Sequence, residues 1–129
     1  MGRQIEVAIG DTIFQGATSS ARDQVEMLQI TARCGLLPAM NPNVGSMGLA
    51  ASLASVDSMS LNRLRDLCLK NGNIIRQSDN VPVAENLFQD EAHNYLVLLG
   101  LVLRENIGPF WQLSSGEESE KSKAQDVPV

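Results

Sequence analysis

From Tyr95 to Leu103 the chain reads Tyr-Leu-Val-Leu-Leu-Gly-Leu-Val-Leu, with no charged residue. This run lies in a longer stretch that opens near Asn86, passes through Ile107-Gly-Pro-Phe-Trp-Gln-Leu and then turns polar. A helix over such a stretch is apolar on every side, so it must be surrounded by its own chain or by a partner. A chain of 129 residues has little else to surround it with, so an interaction surface is expected. Leu96, Leu99 and Leu103 share one face and are assigned to the core, whereas Val97 and Leu101 lie away from it and are candidate partner contacts. Gly108-Pro109 is expected to close the helix. Phe110 and Trp111 then either fold back to seal the core or stand out as an aromatic anchor for a partner.

The remaining elements follow from local pattern. Ile5, Val7 and Ile9 alternate with Glu6 and Ala8, and Gly10-Asp11 separates them from Thr12-Ile-Phe-Gln, which predicts a hairpin near 4–15. A helix is expected near 20–33, capped by Ser19 or Ser20, with Ala21, Val25, Leu28 and Ala32 at helical spacing and Gly35 as its left-handed stop. Small residues from Gly45 to Ser55, interspersed with Met47, Leu49 and Leu53, predict a closely packed helix near 44–56. Ser58 or Ser60 can cap a helix near 60–71, whose apolar face is Leu61, Leu64 and Cys68. Ile74-Ile-Arg and Val81-Pro-Val flank a polar tetrapeptide and form a second hairpin or an extended loop, with Pro82 restricting any strand to an edge or a bulge. The last helix is expected over 86–105, with Asp90 and Glu91 in its first turns. The fold class expected is mainly α: a small helical domain of about four helices with a short N-terminal hairpin, spanning 1–113 and followed by a disordered acidic tail over 114–129.

Charge and cysteine content narrow the function classes. The formal charge is −5 and the basic residues are scattered, so no stripe exists to neutralise phosphates and nucleic acid is not an expected partner. The run Tyr95–Leu103 is about half the length that spans a bilayer, and the N-terminus lacks the apolar core of a secretory signal, so a cytosolic location off the membrane is expected. Cys34 and Cys68 have no CxxC spacing and read as ordinary reduced thiols.

No constellation supports catalysis. His93 is the sole histidine, and Asp90 three residues earlier gives it one carboxylate, far short of a closed metal site. Ser19, Ser20 and Asp23 lack an activating base, and Gly45-Ser-Met-Gly lacks the Gly-Lys-Ser/Thr of a phosphate loop. The chain is read as a non-enzyme with no catalytic residue, metal or cofactor.

The order of these features resembles that of the tail assembly chaperones of tailed double-stranded-DNA bacteriophages. The similarity covers residues 5 to 113: a hairpin around Ile9-Gly-Asp-Thr-Ile-Phe, several helices, then Asn86-x-Phe88-x-Asp90-Glu91 leading into a Leu/Val-rich helix. An Asn106-x-Gly108-Pro-Phe110-Trp111 close and an acidic tail follow. The resemblance implies a cytoplasmic protein of the infected host that coats the tape-measure protein and keeps it soluble during tail assembly. It also implies absence from the finished virion and a longer product, made by frameshifting near the end of the reading frame, whose added domain contacts tail-tube subunits. Self-association is expected from the residues themselves, through Val97 and Leu101. Gly45–Ser55 departs from the family in its richness in Gly and Ser. The competing readings are a structural virion component, such as a head–tail connector or tail-associated subunit, a helical adaptor, and a small regulator of a host factor.

Overall fold

A computed structural model describes the backbone of residues 2–124 and the side chains of residues 2–108. Its elements in order are β1 (Gln4–Ile9), β2 (Thr12–Ala17), α1 (Ala21–Arg33), α2 (Ser46–Ala54), α3 (Ser58–Arg65), β3 (Ile75–Arg76), β4 (Val81–Pro82) and α4 (Ala92–Ala124). Short 3-10 turns cover Leu37–Met40 and Glu85–Phe88, and a π turn, Asp66–Lys70, extends α3. The strands form one antiparallel sheet in the order β1-β2-β3-β4. With 56% helix and 15% strand the chain is mixed α/β, which corrects the expectation of a mainly α domain. The reason is a pairing across sixty residues of chain. Phe14 stands opposite Arg76 and Gln15 opposite Ile75, so the second hairpin joins the first, a contact that no local pattern encodes.

Several local expectations hold. Ile9 pairs with Thr12 across Gly10-Asp11, with Gly10 at φ +60. At the end of α1, Gly35 takes φ +73, Leu36 N–H donates to the Thr31 carbonyl at 2.8 Å and Gly35 N–H to the Ala32 carbonyl at 3.3 Å. That is the Schellman pattern, completed by burial of Leu36. Ser20 caps α1 by accepting from Asp23 N–H. The cap of α3 is Asp57 rather than a serine, since its carboxylate accepts from Ser60 N–H at 3.0 Å. Pro82 lies on β4 at the sheet's edge.

The final helix starts later than expected. Asp90 adopts φ +67, which a right-handed helix cannot include, and α4 begins at Ala92. The preceding 3-10 turn buries Phe88 between Phe14 and Tyr95, with ring centroids 5.7 and 5.8 Å away. The burial of that ring offsets the break in the helix. Nor does α4 stop at Gly108-Pro109. Proline has no N–H for the Glu105 carbonyl four residues back. Arg3 supplies the missing donor, its Nη2 reaching that carbonyl at 2.6 Å and its Nη1 the Glu105 carboxylate at 2.9 Å. The expected division into a 1–113 domain and a 114–129 tail falls on side chains outside those described.

Packing centres on α4. Leu98, Leu99, Val102 and Leu103 are fully buried, against β1, α1, α2 and α3. Gly100 lets α2 approach closely: a Cβ there would fall 2.6 Å from Leu49 Cγ and 2.8 Å from Leu53 Cδ1. Asn106 fixes the far end. Its buried Oδ1 accepts from Ser19 N–H at 2.8 Å and its Nδ2 donates to the Val102 carbonyl at 2.9 Å. Ser19 Oγ in turn donates to the Leu67 carbonyl at 2.5 Å, so one buried polar chain ties α4, the start of α1 and the π turn together. Arg104 reaches sideways, its Nη2 donating to the Ala39 and Val44 carbonyls.

Candidate protein-interaction surface

The apolar circumference of α4 is spent inside the chain. Val97 is 6% exposed, and Leu101 is half-buried against the core, as is Leu96. The side chains of Phe110 and Trp111 lie outside the described residues. The candidate contacts Val97 and Leu101 therefore share a helix but offer a partner little apolar surface between them.

The exposed apolar surface is elsewhere. Met47 on α2 is 70% exposed; the pair Val25 and Met59 are 56% and 83% exposed. Both line an open cleft of about 760 Å³ between α1 and α3, together with Ile30, Ser60 and a charged rim. Of the α1 residues at helical spacing, Ala21, Val25 and Ala32 face solvent while Leu28 is half-buried against the core, and the buried face is Met27, Ile30 and Thr31. Met27 and Ile30 bury more apolar area than two alanines do, so packing selects their face. Thr31 loses nothing there, because its hydroxyl donates to the Met27 carbonyl at 2.6 Å. The spacing of Ala21, Val25, Leu28 and Ala32 marks the helix but not its buried face, and nothing in it points to Met59, which sits in the first turn of a short helix. The usable signal was the second set, Met27, Ile30 and Cys34, at equally good helical spacing.

Charges hold the cleft's geometry. Arg63 binds Glu26 through two bonds, Nε to Oε2 at 2.5 Å and Nη2 to Oε1 at 2.8 Å, and this fork spans α3 and α1. The Arg63 hydrogen bond holds the Glu26 carboxyl below its ordinary range, and Glu26 raises the Arg63 guanidinium. Ser60 N–H does the same to Asp57, the cap of α3. Groups with depressed folded pKa values contribute stability that is complete above their unfolded pKa and is lost as pH falls through the folded one. Thermal stability is therefore expected to be flat near neutrality and to decline below about pH 4, the ordinary carboxylate range. Melting curves from pH 7 to pH 2 check this, and Glu26→Gln should shrink the acid-side loss.

The other reactive groups are structurally engaged. Cys68 is buried with its Sγ 3.8 Å from Met27 Sδ, and burial pushes its thiol up, away from the nucleophilic thiolate. Burial likewise pushes the Tyr95 phenol up to about 12. His93 is exposed in the first turn of α4, and Asp90 stands outside that helix, so the two do not share a helical face. Among the described residues no three His, Cys, Asp or Glu side chains converge in a way that could hold a metal ion. No helix of the described residues is long and apolar enough to cross a membrane.

The chain matches no family model, no curated protein and no solved structure.

Proposed function

We propose that this protein is a non-enzymatic chaperone of the phage tail assembly type, acting in the host cytoplasm on the tape-measure protein, and that the α1–α3 cleft is its client surface. The observation that carries this is the exposure of Val25 and Met59 in one cleft. An amphipathic client helix can lay an apolar stripe on Val25 and Met59 while its polar flanks meet Arg22, Arg33 and Asp57 at the rim. The contact is small, so each copy binds weakly, and many copies along one long client supply the avidity. A net charge of −5 opposes nonspecific aggregation of the unbound copies. Phe110 and Trp111 stay in the proposal as sequence-based contacts, as do tail-tube subunits as further partners.

Val25→Asp combined with Met59→Asp is the test. Both positions are exposed, so stability should change by no more than about 0.5 kcal/mol per site. Solubility of the co-expressed tape-measure protein should collapse. Unchanged solubilisation by the folded double variant would remove the cleft from the proposal. Detection of the protein in purified virions would instead favour a structural component.

A further inference from the structure

The two edges of the sheet differ in how they are protected. At one edge β4 has two residues, one of them Pro82, and a proline on a short strand cannot template another. At the other edge β1 is six residues long, unbulged, and without Pro or Lys. Thr18 N–H donates to the Arg3 carbonyl, and the register continues through Ile5–Gly16, Val7–Phe14 and Ile9–Thr12. Alternate residues of an antiparallel pair bond to the same neighbour, so the main-chain groups of Gln4, Glu6 and Ala8 point away from β2. Among the described residues, β2 is the only strand that pairs with β1. A straight strand presenting such a row is a template for another extended backbone.

We propose that the occupant is a second copy: β1 pairs antiparallel with β1 of another chain across a twofold axis, joining the two sheets into one. Side-chain chemistry selects the copy and the register. Glu6 is the single charge on β1, and its side chain and those of Gln4 and Ala8 are exposed. Centring the axis on Glu6 would set two carboxylates opposite each other, which is unfavourable. Centring it on Ile5 sets Gln4 opposite Glu6 of the second copy, twice by symmetry, so each amide donates to a carboxylate. Centring it on Val7 leaves Glu6 facing Ala8 with no polar partner. The Ile5-centred register is thus self-complementary, as a twofold interface requires.

Sedimentation velocity of the full chain over a concentration series should show a monomer–dimer equilibrium. Glu6→Pro removes an outward N–H and no bond to β2, so it should sediment as a monomer with an unchanged far-UV circular dichroism spectrum. If that variant does not fold, Gln4→Lys decides, because it sets a cation opposite each Glu6. Its dimer should be tighter by about 2- to 30-fold at low salt, from two opposite-charge cross-strand pairs. A wild-type chain that stays monomeric, a dimer that survives in folded Glu6→Pro, or an affinity unmoved by Gln4→Lys would each overturn the proposal. Neither Val25 nor Met59 takes part, so this pairing and the client reading stand or fall separately.

Discussion

Leu99→Ala is expected to lower unfolding stability by about 2–5 kcal/mol. Leu99 is 0% exposed at the middle of α4, and its neighbours along the helix, Leu98, Val102 and Leu103, are equally inaccessible. Truncation removes the transfer free energy of the lost methyl groups and leaves a void that packed neighbours cannot fill, which is why the cost exceeds that of simple exposure. Gly100, the next residue, already brings α2 as close as it can come, so Leu49 and Leu53 have little freedom to collapse inward. Urea denaturation should show a lower midpoint with an unchanged slope. A loss under about 1 kcal/mol would mean that the site relaxes around the change and that α4 is not the rigid centre of the fold.

Gly72→Ala is expected to cost about 3 kcal/mol, the upper end of ordinary overpacking. A Cβ at Gly72 would sit 2.5 Å from the Cys68 carbonyl oxygen and 2.6 Å from that of Ala17. Both obstacles are backbone, so no rotamer change relieves them. The Gly72 carbonyl also accepts from Ala17 N–H at 3.0 Å, and displacing it would loosen the end of β2 from the turn beneath it. Thermal melts of this variant should show a drop of several degrees or more. A melting temperature equal to wild type would show that the turn shifts freely, which would contradict its role as the junction between the π turn and the sheet.

Both sites differ from the cleft in what they say about legibility. Leu99 could be placed in the core from spacing alone, because Leu96, Leu99 and Leu103 define a face in any helix that includes them. The sequence places a helix end near residue 71, but the contact of Gly72 with Ala17 crosses more than fifty residues of chain and leaves no trace in local pattern. The candidate surface was the least legible part. Exposure of Val25 is a comparison between two stripes of one helix, and only the neighbours that bury Met27 and Ile30 decide it.

Features governed by a few consecutive residues were set by the sequence itself: the Gly10 hairpin turn, the Gly35 helix stop, the Ser20 cap, the edge position of Pro82, and the burial of Leu64 and Cys68. Each depends on a backbone angle, a single hydrogen bond or a helical period, and such terms act whatever the rest of the chain does. Tertiary structure decided the rest: pairing of the second hairpin with β2, the break at Asp90 that seats Phe88, and passage of α4 through Pro109 on a donor lent by Arg3. It also decided that Val97 turns inward while Val25 faces out. A helix apolar on all sides has no preferred face of its own, so the elements packed around α4 determined which apolar residues were buried and which were left for a partner.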